Sequence, residues 1–227
     1  MSQARTRAVV FDFDGVLADT ENLHLIAFQD TFAARGWTLD RAAYFANYLG
    51  YDDSDLVRTF ANDNALDIGA TEVEGILLDK SRHYERRLAT GAILFPTAAS
   101  AIRRLGATYR LAIASGSLRG EILSILRANN LADAFEAIVG SDDVIRSKPA
   151  PDSYAAAVAR LGVAPSAAVA IEDSQWGLTA ARAAGLRTIG ITTSYPASAL
   201  GLAHAVIDSL DEVTDALVER LLAPCPP

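Results

Sequence analysis

A chain of 227 residues with 51% hydrophobic content can bury one sizeable core, or a core domain that carries a smaller insertion. Its formal net charge of −8 argues against nucleic acid as a partner, because phosphate backbones reward basic stripes. The single cysteine, Cys225 in the tail Ala223-Pro-Cys-Pro-Pro227, rules out an internal disulfide framework and a thiolate metal site. An acidic chain that takes an anionic substrate must meet it with a local cluster of cations. The apolar run after Arg5 and Arg7 is cut short by Asp12, which leaves no room for a secretory segment, and no later run reaches the length of a membrane span. A cytoplasmic, reduced protein with no membrane partner is expected.

In chain order, residues 7–13 read as a buried strand. From Thr20 the apolar residues Leu23, Ile26, Ala27, Phe28 and Phe32 recur at helical spacing until Gly36. Residues 40–48, 53–62 and 71–89 also read as helices, so 20–90 is predicted to be a small helical bundle without strands. Beyond Gly91 and Pro96 helices and strands alternate. Helix 97–106 precedes strand 110–114, helix 118–129 precedes strand 136–140, and helix 151–161 leads to strand 167–172. Helix 175–184 leads to strand 187–191, and a short strand at 204–207 to a last helix, 211–222. This alternation predicts an α/β fold, a Rossmann-like parallel sheet with helices on both faces. The helical bundle 20–90 is then an insertion into a core formed by 1–19 and 91–227. Ligands are expected at the carboxyl ends of the strands.

Asp12 and Asp14 are the first chemistry to appear there. Side chains at i and i+2 of an extended chain share a face roughly 6–7 Å apart, and two acids that close repel unless a cation sits nearby. A solvated turn is the plain alternative. A calcium loop is excluded, since its glycine stands sixth and here Gly15 stands fourth, after a strand. The second strand ends in Ser115-Gly116-Ser117, whose hydroxyl and backbone N–H groups could cradle a phosphate or simply start the next helix. Lys148, followed by Pro149, is kept out of a helix, while Pro151 is placed to begin one. Glu172 and Asp173 close another apolar strand, where they need either a cation such as Mg²⁺ or a helix-capping role for Asp173 or Ser174.

This ordered set resembles the haloacid dehalogenase superfamily. Asp12-Phe-Asp14-Gly-Val matches its first motif, Ser115 the second, Lys148-Pro149 the third and Glu172-Asp173 the fourth. The resemblance implies a helical cap domain at 20–90, as in the β-phosphoglucomutase and sugar-phosphatase branch, with pivots near Ala18–Thr20 and Thr90–Gly91. It implies Asp12 as nucleophile, Asp14 as general acid/base, Ser115 and Lys148 in catalysis, and Mg²⁺ held by Asp12, the Asp14 carbonyl and Asp173 with help from Glu172. Thr20, His24 and Lys80 match cap-to-core positions of β-phosphoglucomutases, and Gly116 and Ser117 match phosphate contacts. His24 could instead be a packed histidine and Lys80 a solvated lysine. Asp53 stands where the mutase carries a phosphate-gripping arginine, a loss that Arg58 or Arg82 could offset. The expected activity is a Mg²⁺-dependent phosphatase of small sugar or polyol phosphates acting through an aspartyl phosphate. A β-phosphoglucomutase-type mutase is the alternative, and a non-enzymatic scaffold a distant third. Oligomeric state is left open.

Overall fold

The structure is a computed structural model that describes residues 6–48, 51, 53–88 and 94–223. Arg5, Asp52, Cys225 and the Thr90–Gly91 pivot lie outside the described residues. The chain forms two compact units, Met1–Asp19 with Ile93–Pro227, and Thr20–Ala92.

The first unit is built on strands β1 (Ala8–Phe11), β2 (Arg110–Ala114), β3 (Ala137–Val139), β4 (Ala168–Glu172), β5 (Arg187–Ile191) and β6 (Ala205–Ile207). Among the described residues they make one parallel sheet in the order β3-β2-β1-β4-β5-β6. Alternate residues explain its two faces. Ala8, Val10, Ala112, Ala114, Ala137, Val139, Ala168 and Ala170 belong to one buried cluster with Tyr154, Ala157 and Leu161. So many alanines let a helix lie close to the strands, and that helix spans Asp152–Leu161. The other alternation (Val9, Phe11, Leu111, Ile113, Val169, Ile171) is buried as well, as both faces of a covered parallel sheet should be.

The second unit holds α1 (Thr20–Ala33), a short turn α2 (Arg41–Ala43), α3 (Asp53–Asp63) and α4 (Ala70–Leu88). Its core is aromatic, with Phe32 stacked on Phe60 at 4.4 Å between centroids and Leu25, Phe28, Leu56 and Ile76 around them. The helix expected over 40–48 is one α-turn followed by a π-helical turn, Tyr44–Tyr48. That wider turn accompanies burial of both Tyr44 and Tyr48, four residues apart.

The remaining helices of the first unit are α5 (Ala98–Thr108), α6 (Arg119–Ala128), α7 (Asp152–Leu161), α8 (Gln175–Ala183) and α9 (Asp215–Leu222). Among the expected ends that change, two have a clear local cause. The last helix begins at Asp215, not 211, because Thr214 caps it and Leu210–Glu212 forms a separate 3₁₀ turn. The first strand stops at Phe11, since residues 13–18 curl into a tight loop in which Leu17 and Ala18 N–H both donate to the Phe13 carbonyl.

Candidate active site

The strand order reverses at β1, with β2 on one side and β4 on the other, which is where open parallel sheets bind ligands. Asp12 follows β1, and its N–H donates to the Ile171 carbonyl of β4 at 2.9 Å. Glu172 ends β4 and Asp173 follows it. Sheet register alone therefore carries three buried acids to one place, and one carboxylate oxygen from each of Asp12, Glu172 and Asp173 lies within 4.8 Å of the others.

Lys148 joins them from the loop before α7. Its Nζ lies 2.8 Å from Asp12 Oδ1 and 2.6 Å from Glu172 Oε1, above the Tyr154 ring. Burial disfavours the ammonium, but Asp12 and Glu172 outweigh that and push its pKa up, so Lys148 is charged. Asp12 moves the other way. Burial first, then the charges of Glu172, Asp173 and Asp14, raise its pKa well above the usual carboxylate range, against the pull of Lys148. Three buried carboxylates against one ammonium is an arrangement that a divalent cation with oxygen ligands balances. The donor set fits Mg²⁺ in kind and in charge.

Glu172 is engaged on both oxygens. Oε1 accepts from Lys148 and from the Tyr154 hydroxyl at 2.8 Å, and Oε2 from the N–H groups of Asp173 and Ser174 and the Ser174 hydroxyl. Gly177 makes room for it, since a Cβ there would fall 1.6 Å from Glu172 Oε1. Gly15, at φ +74°, does the same for Asp173, whose Oδ2 would meet a Cβ at 1.9 Å. The capping alternative for this pair falls to Ser174, whose hydroxyl accepts from Gly177 N–H at 3.1 Å, so Asp173 is not the residue that starts α8.

Asp14 faces the second strand's end. Its Oδ2 accepts from Ser117 Oγ at 2.6 Å and Ser115 Oγ at 3.1 Å, while Ser117 N–H donates to Ser115 Oγ. Ser117 therefore does not cap α6. Asp142 Oδ1 does that work from outside, taking Arg119 N–H at 2.8 Å. Asp12, Asp14, Ser115, Gly116, Ser117, Lys148, Glu172 and Asp173 thus all belong to one unit, Lys148 reaching the strand ends from its loop.

Residues 9–191 match the description haloacid dehalogenase-like hydrolase. The chain belongs to that family. It is 35% identical over 205 residues to the protein CbbY of Rhodobacter capsulatus, covering 83% of this chain and 86% of that one. The fructose-1-phosphate phosphatase YqaB of Escherichia coli is 26% identical over 187 residues, covering 82% of this chain and 97% of its own length. Among solved structures, CbbY from Rhodobacter sphaeroides in complex with xylulose-1,5-bisphosphate superposes with a TM-score of 0.79 at 33% identity, over 92% of this chain and 96% of that one. The chain is accordingly a hydrolase of phosphoric monoesters.

The other sequence-selected residues lie in the helical unit. Thr20 opens α1 and is buried. Lys80 is no solvated lysine: it is 3% exposed, with Nζ 2.6 Å from Asp53 Oδ2 and 2.7 Å from His24 Nδ1, beside the Phe28 and Tyr84 rings. His24 packs on Tyr84 at 4.6 Å, so it is both a packed histidine and a polar contact. Arg58 and Arg82 are engaged locally, by Ser54 and Asp79. Sequence reasoning missed Tyr154, whose only signal was a tyrosine set among alanines on a buried helix face, where the hydroxyl must find an acceptor.

Proposed function

We propose that this hydrolase is a Mg²⁺-dependent phosphatase of small phosphorylated sugars or polyols that works through an aspartyl phosphate on Asp12. The observation that carries the reading is Lys148 bridging Asp12 and Glu172 beside Asp173. Asp12, the Asp14 carbonyl and Asp173 would hold the cation, and Glu172, saturated by protein donors, would orient Lys148. Bound Mg²⁺ would offset charge on the phosphoryl oxygens.

In the first step an Asp12 carboxylate oxygen bonds to phosphorus as the bond to the ester oxygen breaks, and Asp14, protonated, gives its proton to the leaving alkoxide. In the second, Asp14 takes a proton from water as that water attacks phosphorus, which releases phosphate and restores the Asp12 carboxylate. Lys148 holds charge beside the transferring group in both steps. The Ser115 and Ser117 hydroxyls, now given to Asp14, are suitable donors to phosphoryl oxygens.

The helical segment 20–90 is read as the cap that selects the substrate. Its Asp53 favours a monophosphate: a second phosphate presented to this cluster meets a carboxylate, and a lysine whose charge that carboxylate already balances. A bisphosphate-primed mutase is disfavoured by the same contact. A cytoplasmic setting completes the reading, in keeping with the lack of any long apolar helix among the described residues.

A panel of sugar and polyol mono- and bisphosphates, assayed with Mg²⁺ for both free phosphate and isomer, tests this. Phosphate release from monophosphates, lost in Asp12→Asn by at least about 10³-fold, is expected. Isomer formation without phosphate release would transfer the assignment to the mutase, and unchanged turnover in Asp12→Asn would end the mechanism.

A further inference from the structure

The opposite edge of the sheet carries a second cluster of chemistry that the hydrolase reaction does not use. A depression of about 530 Å³ opens there, at the amino ends of β4, β5 and β6, lined by Arg182, Arg187, His204 and Ser166 among others. Among the described residues, no Asp or Glu lines it. In a chain with a net charge of −8, this is a concentration of positive charge at a concave surface.

The hydrogen bonds around His204 are in conflict. The backbone N–H of Thr188, fixed in the sheet, donates to His204 Nδ1 at 3.1 Å, with the buried Thr188 hydroxyl 2.8 Å from the same atom. A ring nitrogen that accepts from a backbone N–H carries no proton, so the neutral ring keeps its proton on Nε2. Yet the Arg187 guanidinium directs an N–H at Nε2 from 3.3 Å. A neutral imidazole cannot accept at both nitrogens, so two donors converge on the same point. Protonation does not relieve this, since it adds a third cation and a donor at Nδ1, and the effect of burial and of Arg182 and Arg187 on His204 is to lower its pKa. Arg182 donates one N–H to the Leu202 carbonyl at 2.6 Å, which anchors its charge at the rim.

An acceptor with negative charge and several lone pairs resolves the conflict, taking Nε2–H and the guanidinium N–H together. We propose that this depression binds a tetrahedral dianionic oxyanion, as inorganic phosphate or as the phosphoryl terminus of a small metabolite, between Arg187, Arg182 and His204. The site stands at the amino ends of the strands, so its occupant is not the molecule being hydrolysed at their carboxyl ends.

The three histidines make the site directly observable by ring ¹H–¹⁵N correlation spectra of labelled protein. Titration with sulfate, and separately with methylphosphonate, should shift the His204 ring signals saturably, with Kd about 1 mM or tighter. Sodium chloride at matched ionic strength should not reproduce the shift. Arg187→Met should abolish it and Arg182→Met weaken binding about tenfold, both with the turnover of the parent enzyme, which also reports that they fold. Tighter binding of methylphosphonate assigns the site to a phosphoryl terminus, and tighter binding of sulfate to the free inorganic ion. A shift that never saturates, that chloride matches, or that survives in Arg187→Met would overturn the proposal.

Discussion

Asp12 and Lys148 illustrate how a single side chain is held in an unfavourable place. Asp12 is buried and Lys148 largely so, and each is tolerated because of the other. Lys148→Met removes the one ammonium and leaves Asp12 and Glu172 facing each other; a loss of about 3–5 kcal/mol is expected by chemical denaturation, with turnover reduced at least about 10²-fold. Asp53 is the residue-scale counterpart in the helical unit. Burial works to raise its pKa, but the contact with His24, 3.7 Å away, and the charge and hydrogen bond of Lys80 bring it down to about 2. A carboxyl with a depressed folded-state pKa stabilises the fold above its unfolded value and loses that contribution as pH falls. The window is therefore from about pH 4 down to about pH 2. Because the Asp53 side chain is 43% exposed, solvent screening limits the effect to about 1 kcal/mol. The acid-unfolding curves of the parent and Asp53→Asn should differ by that amount near neutrality and converge at the acid end.

The arrangement of elements is what brings these groups together, and it relies on close approach at α8. Gly177 lies one turn into that helix with Glu172 packed where its Cβ would be. Gly177→Ala must displace either the carboxyl or the helix. Since the carboxyl is tied to Lys148, Tyr154 and two backbone N–H groups, turnover should fall at least about tenfold, with a stability cost of about 1–3 kcal/mol from overpacking. Tyr154→Phe is the milder change, removing one of the hydrogen bonds to Glu172 for about 1–2 kcal/mol by thermal or urea unfolding. The strand β1 shows why the two aspartates differ although their spacing predicts a pair on one extended face. The chain leaves the strand after Phe11, so Asp12 stays against β4 while the curled loop carries Asp14 to the serines after β2.

For the molecule as a whole, the proposed cation site among buried acids at one end of the sheet predicts that stability depends on the cation. Ligation needs deprotonated carboxylates, so binding and folding are linked. Saturating Mg²⁺ at about a hundred times its Kd should add about 2.7 kcal/mol, read as a rise in Tm of several degrees for a chain of this size. The rise should fade in acid, as the ligands protonate, and should vanish in an Asp12→Asn, Asp173→Asn double variant. Persistence of the full shift in that variant would place the cation elsewhere.

Periodicity and the residues at strand ends determined the class of fold, the order of helices and strands, and the residues Asp12, Asp14, Ser115, Lys148, Glu172 and Asp173. Those signals are local: a buried parallel strand is a short apolar run, and an acid or lysine that ends one stands out against it. Tertiary structure alone decided how the groups divide their work. Ser174 rather than Asp173 starts α8, Ser117 turns to Asp14 rather than to its own helix, and Tyr154 and Gly177 build the seat of Glu172. Lys80 and Asp53, far apart in sequence, prove to be partners, with the lysine buried. Each of these depends on distance between segments remote in the chain, and spacing along a sequence carries no measure of that distance until the sheet and the helices have packed.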